Sequence, residues 1–119
     1  MDPIRKYEIQ GQVYTLLTAP GNAVVGLARV VVAAVAGKAI RVMGWRLQAQ
    51  AAAASVTMTS SGGTLLHDLV GVDALATYRP DVQDVIDSGY FSTLVGEGLN
   101  FDVLGGAVYY NVYYLSYTP

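Results

Sequence analysis

Histidine occurs once, at position 67, followed directly by Asp68, and cysteine is absent. A histidine beside a carboxylate is the smallest unit from which a proton relay is built, but a nucleophile or further ligands must join it. Without Cys there is neither a thiolate site nor a disulfide framework. His67-Asp68 therefore reads as a polar pair where a strand leaves its sheet. Asp81, Asp84 and Asp87 recur at every third position. On a helix they would line one side and repel unless paired or bound to a cation. A calcium loop sets its ligands at alternate positions around a glycine turn, which this spacing does not supply, so the stretch reads as a solvated acidic loop. Gly96-Glu97-Gly98 is too short for a phosphate cradle and follows no strand-to-helix pattern; it is turn chemistry. These residues assign no catalytic group, no metal ligand and no cofactor, and the expectation is a protein that is not an enzyme.

The unusual side chains are the tyrosines, nine in all, five of them within residues 107–117. Side chains alternate along a strand, so Tyr109, Tyr113, Leu115 and Tyr117 share one face while Val108, Tyr110, Val112 and Tyr114 share the other. A surface strand normally keeps one solvated face, and this one has none. One face belongs to the domain core, with Val108, Tyr110, Val112 and Tyr114 expected there. Tyrosine suits the other because it keeps a dry ring and a wet tip, the combination enriched at interfaces. Tyr109, Tyr113 and Tyr117 are accordingly the expected interface residues, against a copy of the chain or a larger partner. Ile4, Tyr7 and Ile9, which no core obviously claims, join them as an arm.

At 119 residues the chain forms one domain, enough to bury about two-thirds of its unfolded surface without staples. Only 13% of residues are charged, about half the usual share, while 53% are hydrophobic. That balance fits a surface largely covered in the working state. A net charge of −2 offers no basic patch for nucleic acid. The most apolar stretch, residues 23–36, is interrupted by Arg29 and falls short of the roughly 20 residues of a membrane span. The N-terminus lacks the apolar core of a signal peptide, so synthesis in the cytoplasm is expected.

The elements that position these residues are short strands. Residues 1–11 read as an N-terminal arm or lead-in, and 12–119 as a single domain. A first strand covers 12–18, and Pro20-Gly21-Asn22 signals a turn. Residues 27–35 carry three consecutive valines and read as a strand, joined by a hairpin across Gly37 to a long strand over 39–49. There Ile40, Val42 and Gly44 face one way, and Met43, Trp45 and Leu47 the other. The alanines at 49–54 read as a connection or strand continuation between two β segments. In 55–60, Val56 and Met58 point inward; Ser61-Gly62-Gly63 turns the chain and 64–70 returns. Residues 71–88 are irregular, 90–93 form a short strand, 99–104 another, and Gly105-Gly106 the last hairpin. Eight or so short strands with glycine turns indicate an all-β, antiparallel β-sandwich, jelly-roll-like, with an N-terminal arm.

Gly37-Lys38-Ala39-Ile40-Arg41-Val42-Met43-Gly44-Trp45, then Ser55-Val56-Thr57-Met58-Thr59-Ser60 and a Ser-Gly-Gly turn with Thr64-Leu65-Leu66, resemble small structural proteins of tailed bacteriophages. So do Gly89-Tyr90-Phe91-Ser92-Thr93, Gly96-Glu97-Gly98-Leu99-Asn100-Phe101-Asp102 and the closing aromatic strand. The resemblance spans residues 37–117 and is similar in kind to capsid decoration, or cement, proteins. It implies a β-sandwich or jelly-roll unit at the virion capsid surface that binds between subunits of the major capsid protein. It also implies self-association, with a homotrimer favoured, and no cofactor. The insert over 73–87 is longer and more acidic than that group's Gly/Asn/Pro loop. Two alternatives stay open. One is a tail, baseplate or fibre module that binds host glycan or another virion protein; the other is a β-barrel carrier or enzyme with an internal pocket.

Overall fold

Segments rich in β-branched and aromatic residues form eleven strands among the residues that the computed structural model describes, 6–9, 12–72, 77–78 and 91–119. They are β1 (Lys6–Ile9), β2 (Gln12–Thr15), β3 (Leu17–Ala23), β4 (Gly26–Val32), β5 (Ala39–Ala49), β6 (Ala54–Ser60), β7 (Leu65–Val72), β8 (Thr77–Tyr78), β9 (Phe91–Ser92), β10 (Leu99–Leu104) and β11 (Val108–Tyr117). All pairings are antiparallel. One sheet runs β4-β10-β6-β7; the other runs β3-β11-β5-β8, with β9 also paired to β5; β1 and β2 form a separate ribbon.

The pairing has a simple logic. Ser61-Gly62-Gly63 is the tip of one long hairpin whose arms pair as β6 with β7, β5 with β8 and β9, β4 with β10, and β3 with β11. Successive pairs fall alternately on the two sheets. Wrapping the hairpin then brings β10 against β6 and β11 against β5. That is the winding of a jelly roll, and the expected antiparallel sandwich is the observed fold.

Several local expectations give way to this winding. Residues 37 and 105–106 are not hairpin turns: β4 and β5 lie in different sheets, as do β10 and β11, so both glycine connections are corners between sheets. Pro20-Gly21-Asn22 is not a turn but the middle of β3, paired with Asn111, Tyr110 and Tyr109. Proline is tolerated because β3 is an edge strand, where its missing N–H breaks no ladder on the free side. The first strand breaks at Leu16 into β2 and β3, and the valine strand ends at Val32. Within the stretch expected as an arm or lead-in, Lys6–Ile9 pairs antiparallel with Gln12–Thr15.

The long strand β5 holds an irregularity that alternation could not foresee. Tyr113 opposes Gly44 while Tyr114 opposes Val42, leaving Met43 as an extra residue. A bulge of this kind shifts every later side chain by one position. Ile40 and Val42 therefore share the core face with Trp45, Leu47 and Ala49, and Met43 goes to the opposite face. The main core lies between the sheets, where these residues meet Val56, Met58, Leu99, Phe101, Val103, Val108 and Val112. Tyr110 and Tyr114 pack against it from its margin. A second, smaller cluster of Ala39, Met43, Leu115 and Tyr117 lies on the other face of the β11 sheet, covered by Tyr14 and Leu16.

Candidate interaction surfaces

His67 lies within β7, where its ring meets Trp45 edge-on at 5.1 Å and Phe91 at 5.8 Å. It belongs to an aromatic group beside the core, and it sits within β7 rather than at a strand exit. The side chain of Asp68, and Asp81, Asp84 and Asp87, lie outside the described residues. Among the described residues no three His, Asp or Glu side chains gather as a metal site would require.

Glu97 is more than a turn residue. Its Oε1 accepts from the buried Ser60 hydroxyl at 2.6 Å and from the Gly62 N–H at 2.7 Å. Those two donors, the hydroxyl first, hold its pKa below the ordinary 4.5. Around it, Gly98 N–H donates to Ser61 Oγ, Leu94 N–H to Ser60 Oγ, and Ile40 N–H to Thr93 Oγ1. The carboxylate thus clamps the 93–98 loop to the tip of the long hairpin.

The two faces of β11 divide as alternation requires, but the outer face is not uniformly open. Toward the C-terminal end Tyr117 is only 8% exposed. Its ring meets Tyr14 edge-on at 6.2 Å, lies 5.3 Å from the Arg41 guanidinium carbon, and its hydroxyl donates to Ser92 Oγ at 3.2 Å. Of the three tyrosines expected at an interface, Tyr117 is therefore covered by its own chain. Tyr113 is half-buried and Tyr109 is 51% exposed. Tyr109 borders a shallow hollow of about 60 Å³ with Arg46, Gln48, Tyr110 and Asn111. The Asn111 Oδ1 is buried and accepts no hydrogen bond. Ile4 and the side chains of Tyr7 and Ile9 lie outside the described residues.

Sequence reasoning missed the second surface. The most apolar stretch of the chain, residues 23–36, is not core: apart from Ala23 and Val32 it is exposed or half-buried. It forms β4, at the free edge of its sheet, and the segments flanking it. Leu27 is 72% and Val30 63% exposed, with Val24, Val25 and Val35 about half exposed. Leu94 and Val95 extend the strip at its far end, where Gly96 N–H donates to Lys38 O. The lone charge in the stretch is exposed but bends back along the chain: Arg29 Nη2 donates to Val25 O at 2.7 Å and Nε to Val24 O. Its signal was the run of apolar residues itself, which periodicity assigns to the interior by default. Comparison with protein-family models, curated proteins and solved structures returned no match to this chain.

Proposed function

We propose that this chain is a non-enzymatic structural component of a tailed-phage virion, a decoration protein that binds between major capsid subunits and stabilises the shell. The observation that carries this reading is the exposure of the chain's most apolar segment along the edge of a jelly roll. An uncovered strip of this kind is a contact surface awaiting a partner, and a cement protein works through buried area alone. The phage resemblance over residues 37–117 and the low charge point the same way.

The open half of the tyrosine face is assigned to the shell. Tyr109 and Tyr113 offer aromatic area, and Arg46 and Gln48 offer directional hydrogen bonds, the mixture typical of interface hot spots. Adding purified protein to expanded capsids that lack it, and reading bound protein by sedimentation, tests the proposal. Saturable binding is expected, and Tyr113→Ser should weaken it roughly tenfold or more with little change in melting temperature. Failure to bind capsids, with binding to host-cell glycan instead, would overturn it.

A further inference from the structure

We infer that the β4 strip is a homotypic contact: a second copy of this chain packs its own Leu27 and Val30 edge against it across a two-fold axis. The inference rests on the assembly reading above, but concerns self-association rather than the shell.

Free edges in a sandwich are normally blunted by charge, proline, bulges or a covering segment. The edge at β3 carries Pro20. The edge at β4 carries no proline, and its single cation is folded back onto Val24 and Val25. It does carry bulges. The β4–β10 register shifts twice, and Ala28 has a left-handed φ of 55° while its N–H donates to the Asp102 carboxylate at 2.8 Å. Broken in this way, the edge is poorly shaped to add a continuous strand, yet its apolar side chains remain uncovered. Side-chain packing, not ladder extension, is what it offers.

The area suits a second copy. Val24, Val25, Leu27, Val30, Val35, Leu94 and Val95 are half to three-quarters exposed. At on the order of 100 Å² or slightly more for each fully exposed side chain they present roughly 500 Å². Backbone and the neighbouring alanines bring this close to the roughly 800 Å² per partner of a standard interface. The strip is also close to self-complementary. One patch serves both partners, as a two-fold contact requires, and its single cation, the exposed Arg29, is held along the chain by hydrogen bonds to Val24 O and Val25 O.

Sedimentation equilibrium of the full chain tests the inference, comparing wild type, the Leu27→Asp/Val30→Asp double variant, and Leu65→Asp as a control on another exposed leucine, in β7. A concentration-dependent dimer is expected for wild type and the control. The double variant should dissociate at least about a hundredfold more readily and keep the wild-type far-UV spectrum. Should it fail to fold, Leu27→Ser/Val30→Thr is read in its place. A wild type that stays monomeric at high micromolar concentration overturns the inference, as does a dimer unaffected by either double variant, or a trimer as the sole assembly. Capsid binding measured in parallel separates the two proposals. A monomer that binds shells sinks only the homotypic contact, and a dimer that ignores shells sinks only the capsid role.

Discussion

Replacing Leu115 by alanine asks whether the outer face of the tyrosine strand is closed by the chain itself. Leu115 is fully buried, although it projects away from the main core, because Tyr14, Leu16, Met43 and Tyr117 surround it. Truncating a fully buried leucine costs about 2–5 kcal/mol, less where the surroundings can collapse into the gap. The cluster is small and Tyr14 and Leu16 are only partly buried, so the lower end applies, about 2–3 kcal/mol. A chain of this length unfolds with an entropy near 0.25 kcal/mol/K, so the melting temperature should fall by about 8–12 °C. Tyr109→Ala, on the same face of the same strand but half exposed, should cost less than about 1 kcal/mol. Both are read by thermal and urea denaturation at matched protein concentration, since self-association also moves the midpoint. A Tyr14→Ala/Leu115→Ala cycle should add a coupling of at least about 0.5 kcal/mol. If Leu115→Ala costs no more than Tyr109→Ala, or the cycle shows no coupling, the N-terminal ribbon does not cover this face and Tyr117 returns to the surface.

Two further substitutions test the packing and the clamp. A methyl group on Gly21 would lie 2.7 Å from the Tyr110 hydroxyl and 2.8 Å from the ring carbon that bears it. Gly21→Ala should therefore cost about 1–3 kcal/mol through overpacking, and Tyr110→Val in the same chain should recover part of that loss in urea midpoints. Glu97 has a depressed pKa in the fold, so its contribution is fully present above the ordinary 4.5 and drains away as the pH falls through its folded value. Wild type should thus lose stability below about pH 4.5 more steeply than Glu97→Gln; melting curves across that range that stay parallel would refute the clamp.

What could be read from the residues was governed by how local the determining interaction is. The β6–β7 hairpin and the inward set Val56 and Met58 were legible, because turn and alternation lie within one short segment. So was the division of β11 into two faces. The glycine corners at 37 and 105–106 were not, since a glycine connection looks alike whether the chain turns back within one sheet or steps to the next. The Met43 bulge was equally hidden: it is set by the register against β11, some seventy residues away, and it puts Trp45 and Leu47 on the same face as Ile40 and Val42, which strict alternation separates. Pro20-Gly21-Asn22 carries a strong turn signature and is nonetheless strand, because an edge position removes the penalty that makes proline a turn residue. Glu97 was correctly placed in a turn, but its partners Ser60 and Gly62 come from a hairpin tip nearly forty residues earlier.

The apolar strip shows why composition alone misplaces a segment. Hydrophobic burial is non-directional, so a valine run satisfies it equally well between sheets or between chains. Here the winding of the long hairpin decides. Among the described residues β4 pairs with β10 on one side only, and of its side chains Val32 alone is buried in the core. Keeping Leu27 and Val30 outward while breaking the backbone with two register shifts separates two risks that usually travel together. The bulges oppose strand-on-strand addition, which propagates into fibres, and the side chains still permit one closed contact in which a patch meets its own copy and growth stops.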